Sequence, residues 1–332
     1  MMSKPIYEAL LNVDRKYLYL LMLLAVLIPF LLEIKFTTYE TGEVQRIYDK
    51  VEAIYQYNLQ HPEEPHAMWF SFDYDPATTA ELDPMTFAVL RHAFLRKVPV
   101  IMWASSQTGL NLASDNLNLI AKEYGAVYSK DYVFLGWSYP MIQSLLGCNS
   151  DIKGYFLKDF YGNDTVNFEI LRKIPNLTKV DVWVTIAGNV YPQLWVAYAY
   201  GMYKMNIATG CTAVSAAEFY PYVQTNQMIG MMGGLKGAAE YEQMVERLEK
   251  TIIPGDLTEY MQNLYKDKDL TVYNEKYFKT NFTKDELKAS IKRRYQARRA
   301  MSPQAWAHML VIGLIIVGNI CFFMKRKAEK NS

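Results

Sequence analysis

Two uncharged apolar runs, one near each end of the 332-residue chain, constrain its fold more than any other feature. They occupy residues 17–32 and 305–324, and neither contains a charged side chain. About 20 helical residues cross a hydrocarbon core of roughly 30 Å. The sequence therefore predicts a transmembrane helix at residues 17–34, another at residues 304–324, and a large domain between them.

The charges beside the two runs bear on which side of the membrane the domain occupies. Basic residues of the tails, such as Lys16, compete with basic residues of the domain, such as Arg298. Large domains translocate whatever their charge, so the tails carry more weight. We expect residues 1–16 and 325–332 to be cytoplasmic tails and the domain to be extracytoplasmic. A cleaved signal peptide is the alternative for the first run, but no small-residue cleavage site follows it.

Composition excludes several classes of function. The 35 Lys and Arg residues nearly balance the 34 Asp and Glu residues, so no strong field favours binding to nucleic acid. Three cysteines are too few for a disulfide-rich scaffold, and they lack the spacing of metal ligands. Cys148 and Cys211 either form one disulfide or are two buried thiols. We expect no metal and no other cofactor.

Short apolar runs alternate with helical patterns through the domain. Five runs have the length and composition of buried strands: residues 67–72, 98–104, 131–137, 179–188 and 205–210. Strands that are apolar throughout and joined by helices are typical of a parallel sheet covered on both faces. The sequence therefore predicts an α/β, Rossmann-like, doubly wound sheet of five or slightly more strands.

The composition changes after residue 252. We expect the α/β domain to occupy residues 35–252 and a charged, Tyr-rich helical extension to occupy residues 253–303. The last part of this extension, residues 284–299, is a basic pattern that predicts a juxtamembrane helix. Its basic face is either simply solvated or in contact with anionic lipid headgroups.

Polar and small residues follow the predicted strands. Ligands of doubly wound sheets bind beyond the carboxyl ends of the strands, so these residues would surround any ligand. Trp137 and Ser138, for example, stand at the end of the third strand. The candidate ligand-binding residues after the fourth strand and around the end of the fifth are Gly188, Asn189, Thr209, Gly210 and Thr212.

The first predicted strand ends in the sequence FSFDYDPATT, residues 70–79. An apolar strand that ends in Asp-x-Asp resembles the first motif of haloacid-dehalogenase-like phosphatases. The resemblance implies that Asp73 is a nucleophile and Asp75 an acid/base. It also implies that Ser105, at the end of the second strand, binds phosphate.

This resemblance covers only a few residues. Ala77 stands where the family has Thr or Val, and no later strand ends in the acidic pair that holds Mg²⁺. We therefore favour a simpler interpretation, in which Asp75 and Asp83 cap helices that begin at the prolines following them.

The segment IATGCTAVSAAEFYPYVQTNQMIGMMGGLKGAAEYE, residues 207–240, is rich in glycine and alanine. Its second half places glycines at the spacing of one helical face, where another backbone can approach closely. Each glycine weakens a helix by about 1 kcal/mol relative to alanine, so several need an offsetting reason. Two explanations for these glycines remain open, namely close packing on the sheet and a subunit interface. The interface candidates are Gly230, Gly233, Gly234, Gly237, Met228 and Met231.

These features favour a role without catalysis. We predict a membrane-anchored α/β subunit of a larger membrane assembly, which contacts lipid and associates with copies of itself or with other membrane subunits. The alternative is a membrane-tethered, phosphatase-like hydrolase, or a small-ligand sensor, that uses the ends of the strands. A bound small molecule would favour the alternative, whereas a large self-interface would favour the assembly subunit.

Overall fold

The structure is a computed structural model that describes residues 10–32, 37–253, 255, 257–267 and 282–330. The chain divides into two compact units. One unit is Thr37–Ala297, and the other combines Met1–Phe36 with Arg298–Ser332. The unit Thr37–Ala297 contains the sheet and every candidate site residue.

This unit is built on one parallel sheet of six strands. The strands are β1 (Ala67–Asp73), β2 (Val100–Ala104), β3 (Tyr132–Trp137), β4 (Val180–Ala187), β5 (Ile207–Cys211) and β6 (Met228–Gly233). Their order across the sheet is β3-β2-β1-β4-β5-β6, and every neighbouring pair is parallel. The predicted parallel α/β sheet is therefore confirmed, with one strand more than the five apolar runs.

The main helices lie before, between and after these strands. Their bounds are α1 (Arg15–Leu31), α2 (Gly42–Gln60), α3 (Thr79–Leu95), α4 (Leu110–Glu123), α5 (Met141–Ser150), α6 (Tyr191–Trp195), α7 (Ala216–Gln224), α8 (Gly234–Ile252), α9 (Leu257–Asp267), α10 (Lys284–Arg293) and α11 (Gln296–Lys330). After α6 the chain continues through a π-helical turn, Val196–Tyr200, into the short helix Gly201–Tyr203.

Helices cover both faces of the sheet, as the buried strands require. Successive residues of a strand point to opposite faces, so Trp183 and Ile186 of β4 lie on different faces. Trp195 of α6 packs its ring 4.9 Å from that of Trp183. On the Ile186 face, Met85 of α3 approaches so closely that a Cβ on Gly210 would lie 2.8 Å from its sulfur. Both faces are therefore sealed by helices.

The sixth strand corrects the interpretation of the glycine-rich segment. Residues 228–233 form a strand paired with β5, and only Gly234 begins a helix. The glycines therefore do not share one helical face. Residues 228–233 contain one β-branched residue, Ile229, and no aromatic residue, so they carry little of the composition that usually marks strands. The glycines of the segment also occur at helical spacing. Pairing with β5 and packing against α2 decide its conformation.

The interface candidates lie inside the unit. Gly230 faces α2, where an added Cβ would lie 2.1 Å from the backbone oxygen of Glu43. Gly234 has a φ of +59°, and an added Cβ would lie 2.8 Å from the Cβ of Ala213. Gly237 packs against the backbone of β6, and Met228, Met231 and Met232 are almost fully buried. Close internal packing therefore accounts for Gly230, Gly234 and Gly237, whereas Gly233 is half-buried. A subunit interface through these residues stays a prediction.

The start of α3 also differs from expectation. The predicted helix began at Pro84 with Asp83 as its cap, but α3 begins at Thr79 and includes both residues. Asp83 instead accepts hydrogen bonds from the Tyr74 hydroxyl at 2.7 Å and from Asn116 at 2.9 Å. It therefore joins α3 to the end of β1 and to α4.

The predicted basic helix over residues 284–299 is interrupted. It breaks between α10 and α11 at Tyr295, whose φ of +55° lies in the left-handed region. Beside this break, the Arg294 guanidinium is 3.5 Å from the buried carboxylate of Glu123 and forms a second ion pair with Glu249. Arg91 of α3 donates two hydrogen bonds to Glu123, at 2.8 and 2.9 Å. Buried ion pairs therefore fix the chain immediately before α11.

One helix of the described residues, covering Gln296–Ala328, is long and apolar enough to cross a membrane. The N-terminal helix α1 has 17 residues, about one turn short of the roughly 20 that a bilayer needs. The C-terminal helix thus has the length and composition of the predicted span, whereas α1 does not reach that length. The three cysteines are free and buried, so Cys148 and Cys211 are two thiols.

Candidate functional site at the carboxyl edge of the sheet

The strand order determines where a ligand would bind. The chain leaves β1 towards β2 on one side and leaves β4 towards β5 on the other, so the topology reverses between β1 and β4. Ligands of such sheets bind at this reversal, beyond the carboxyl ends of the strands. We call this side of the unit the carboxyl edge. Asp73, Ser105, Gly188 and Asn189 all lie there, as the sequence predicted.

Asp73 ends β1 at the reversal and is fully buried. Its Oδ2 accepts hydrogen bonds from the Thr185 hydroxyl at 2.6 Å and from Trp195 Nε1 at 2.8 Å. Its Oδ1 accepts from the Ser71 hydroxyl at 2.7 Å and from the Ser105 hydroxyl. The carboxyl group therefore connects β1 to β4, to α6 and to the residue after β2.

These four donors leave Asp73 no accessible oxygen for a nucleophilic attack, because each carboxylate oxygen already accepts two hydrogen bonds. Burial raises the pKa of Asp73, and the hydrogen bonds from Ser105, Thr185, Ser71 and Trp195 oppose that rise only in part. The arrangement is that of a structural carboxyl group. The sequence could identify Asp73 and Ser105 as neighbours, but not Thr185 or Trp195, which only the fold brings to them.

The crevice between β1 and β4 is filled by side chains of the protein itself. Asn189 donates its side-chain amide to the backbone oxygen of Asp73 at 2.8 Å. An added Cβ on Gly188 would lie 3.0 Å from the Thr78 side chain, so that glycine makes room for the residues after β1. Gly188 and Asn189 therefore close the crevice, where the sequence suggested that they would bind a ligand.

Asp75 lies at the surface, away from the buried carboxyl group. Its Oδ1 accepts a hydrogen bond from the backbone N–H of Ala77 at 2.9 Å, which caps the single turn Pro76–Thr78. The capping role favoured from the sequence is confirmed. The acid/base role implied by the resemblance to phosphatases stays a prediction that this geometry does not favour.

The candidates around the end of β5 are mostly inaccessible. Thr209 is fully buried within the strand, and Gly210 faces Ile186 and Met85 in the core. Thr212, after the strand, bonds to the Ser215 hydroxyl at 3.1 Å. Only Thr212 of these three therefore lies where a ligand could reach it.

An open groove occurs beyond the end of β3, elsewhere on the carboxyl edge. Its volume is about 430 Å³, and it is lined by Leu110, Leu135, Gly136, Trp137, Ser138, Tyr155, Phe156, Leu157, Lys158, Asp159 and Phe160. Small-molecule sites have volumes of about 300–1,000 Å³. Trp137 and Ser138 were recognised from the sequence as strand-end residues, whereas residues 155–160 carried no local signal.

A break in regular pairing shapes this groove. The register of β3 against β2 shifts between the pairs of Met102 and Ala104, which inserts one extra residue into β3. Gly136 of β3 adopts a φ of +81°, a conformation that favours glycine. Bulges of this kind redirect the side chains that follow. Here the next residue is Trp137, which is 36% exposed at the mouth of the groove.

Among the described residues, no group of three or more His, Cys, Asp or Glu side chains could hold a metal ion. No known protein family, curated protein or solved structure matches the chain. The geometry of the unit and its carboxyl edge is therefore the basis for a functional proposal.

Proposed function

We propose that the chain is a membrane-anchored α/β subunit of a membrane assembly, and that it associates with further copies of itself through the carboxyl edge. The role is to hold and present a binding surface rather than to catalyse a reaction. The observation that carries this proposal is the set of large apolar side chains exposed at the carboxyl edge. They are Tyr139 (73% exposed), Leu157 (71%), Val190 (58%) and Val214 (87%).

These side chains are separated in sequence but share one edge. Tyr139 follows β3, Val190 follows β4 and Val214 follows β5, and parallel strands all end at the same side of a sheet. Apolar residues that are exposed together often mark interaction sites. The edge therefore supplies a surface for association that the buried glycines do not.

Both ends of the α/β unit are fastened to one helix, α8, which supports the anchoring part of the proposal. Near the start of the unit, Thr41 donates from its N–H and its hydroxyl to Glu240, at 2.8 and 2.7 Å. At its end, the N–H of Ala297 donates to Glu242 at 3.0 Å. Residues 240 and 242 lie about half a turn apart, so the two ends hold different sides of α8.

Further bonds extend both attachments along α8. Gln243 exchanges hydrogen bonds with the backbone N–H and oxygen of Thr38, at 3.3 and 3.1 Å. Arg247 pairs with Glu40 at 2.5 Å. These bonds fix Thr38 and Glu40 at the start of the unit, much as the Arg294 ion pairs fix the residue that follows α10.

The membrane arrangement is part of the same proposal. α11 crosses the bilayer, and α1 crosses it as a second, shorter span. Its 17 residues cover about 26 Å, and its Tyr17 and Tyr19 suit the membrane interface. The tails are cytoplasmic and the α/β unit is extracytoplasmic.

A charge at the carboxyl edge tests the association. Val190→Lys and Val214→Lys place a cation in the proposed contact, and we expect the particle extracted in mild detergent to become smaller. Val127→Lys is the matched control, because Val127 is 54% exposed but lies before β3, at the opposite edge. Light scattering after size-exclusion chromatography measures the masses. Unchanged particles for both edge variants would remove the proposal.

Of the alternatives, a small-ligand sensor has a specific observation in its favour, namely the groove beyond β3. A hydrolase centred on Asp73 is disfavoured, because the carboxyl group is buried and its oxygens are engaged. Phosphatase activity that disappears in Asp73→Asn, with folding retained, would reverse this preference.

A further inference from the structure

We propose that the groove beyond β3 binds a neutral sugar, with Trp137 stacking on one face of the sugar ring and Tyr155 and Ser138 bonding to its hydroxyl groups. The proposal rests on the small-ligand alternative above and specifies its ligand class. Leu157 lines this groove and Tyr139 stacks beside Trp137, so both also belong to the association surface. The binding test below is separate from the association test, which uses Val190 and Val214.

The groove offers no free charge, which argues against charged ligands. Asp159 is buried, and its oxygens accept from the N–H groups of Tyr161 and Asn163 at 2.9 and 2.7 Å. They also accept from the Asn163 side chain and the Tyr128 hydroxyl, at 3.0 and 2.6 Å. These four hydrogen bonds therefore fill the accepting capacity of the Asp159 carboxylate.

The cation of the groove, Lys158, also has partners within the protein, although its side chain is exposed. Lys158 donates to the backbone oxygen of Gly162 at 3.1 Å and pairs with Asp164 at 3.0 Å. A phosphate or carboxylate ligand would have to compete with that pair. The chemistry left for a ligand is aromatic and hydroxylic, which suits a neutral molecule.

Two hydroxyl groups of the groove lining, those of Ser138 and Tyr155, are connected through the buried hydroxyl of Ser144. The Ser144 hydroxyl donates to the Ser138 hydroxyl at 2.8 Å and lies 3.0 Å from the Tyr155 hydroxyl. The Ser138 and Tyr155 hydroxyls lie 3.4 Å apart. A hydroxyl group both donates and accepts, so this set can match the hydroxyl groups of a sugar whichever way they point.

The aromatic wall complements these hydroxyl groups. The Trp137 ring is partly exposed and lies nearly parallel to the exposed Tyr139 ring, with 11° between their planes. Tyr155 and Phe160 add further rings to the lining. A sugar ring presents apolar C–H faces and a hydroxylated rim, so it can stack on aromatic surface and form hydrogen bonds at once. A purely apolar ligand would form no hydrogen bonds with these hydroxyl groups.

Titration of the full-length protein with cellobiose tests the proposal, in a polyoxyethylene detergent because sugar-headed detergents would compete. Saturation-transfer NMR reports binding, and glucuronate and cyclohexanol serve as comparison probes. Glucuronate adds a charge to the sugar, and cyclohexanol keeps a ring but only one hydroxyl group. We expect cellobiose to bind saturably and more tightly than either comparison probe.

Three variants locate the site. Tyr155→Phe keeps the ring and removes one hydroxyl, and we expect cellobiose affinity to fall about 2- to 10-fold. Trp137→Ala removes the stacking surface and should weaken affinity about tenfold or more. Tyr220→Ala is the control, because Tyr220 is an exposed aromatic residue outside the groove and its loss should leave affinity unchanged. Melting temperatures of all three variants check that they fold.

Each contrary outcome has a distinct meaning. If cyclohexanol binds as tightly as cellobiose, or glucuronate binds more tightly, the groove takes a ligand but the neutral-sugar class is overturned. If none of the three probes binds, both this inference and the sensor alternative fall, whereas self-association is unaffected. Cellobiose binding that survives in folded Trp137→Ala and Tyr155→Phe would place the site elsewhere and also overturn the inference.

Discussion

At the scale of single residues, the buried tryptophans divide according to their hydrogen bonds. Trp69, Trp103, Trp183 and Trp195 pack together with ring centroids 4.9–5.9 Å apart. Trp195 donates its indole N–H to Asp73. The indole N–H groups of the other three have no hydrogen-bond partner among the described residues. Trp195 therefore contributes a hydrogen bond to stability that the other three buried tryptophans do not.

The pair Trp195→Phe and Trp183→Phe isolates this difference. Both substitutions remove similar volume, but only Trp195→Phe removes a donor from the buried carboxyl group of Asp73. A hydrogen bond to a charged group contributes about 1.5–3 kcal/mol, whereas removing an unpaired N–H relieves a cost. We expect the melting temperature of full-length Trp195→Phe to lie below that of Trp183→Phe by several degrees. Equal melting temperatures would mean that the hydrogen bond from Trp195 to Asp73 does not contribute to stability.

At the scale of secondary-structure elements, α10 is held to the core by buried charge. Arg294 pairs with Glu123 and Glu249, all three of which are almost fully buried. Breaking a buried pair from one side leaves an unpaired charge and typically costs about 3–5 kcal/mol. We expect Arg294→Met to lower the melting temperature strongly and Arg293→Met, at the neighbouring half-buried position, to lower it much less. Similar effects of the two substitutions would contradict the role of the ion pairs.

The start of α8 provides a second prediction for an element. Gly234 has a left-handed φ and no room for a Cβ beside Ala213. We therefore expect Gly234→Leu to lower the melting temperature without changing the mass of the extracted particle. Gly201→Ala is the control, because Gly201 is helical, exposed and has space for a Cβ, so that variant should be as stable or slightly more stable. A smaller particle with unchanged melting temperature would restore the glycine interface.

The elements also show how far sequence reasoning extends. β1 to β5 were predictable because continuous apolar runs alternate with helical patterns. β6 was not, because MIGMMG satisfies helical spacing and becomes a strand only through its neighbours β5 and α2. Asp73 was predictable as a strand-end residue, but its role was not. That role depends on Thr185 and Trp195, more than 110 positions away, as the bonds between them record.

At the scale of the whole molecule, all three cysteines are buried, so labelling of introduced cysteines can show on which side of the membrane the α/β unit lies. New cysteines at Gln60 and Tyr260 should react with an impermeant thiol reagent added to intact cells, since both positions are exposed on the α/β unit. The unsubstituted protein gives the background, which buried thiols keep low. Reaction only after the membrane is breached would place the unit in the cytoplasm and reverse the proposed orientation.

The native mass of the particle extracted in mild detergent tests the central claim most directly. One chain has a mass of 38.4 kDa. Native mass spectrometry should find a particle containing at least two copies of the chain, and Val190→Lys or Val214→Lys should reduce the number of copies. A particle whose additional mass belongs to other proteins would keep the assembly but remove self-association. A single chain of 38.4 kDa, free of any partner, would contradict the account.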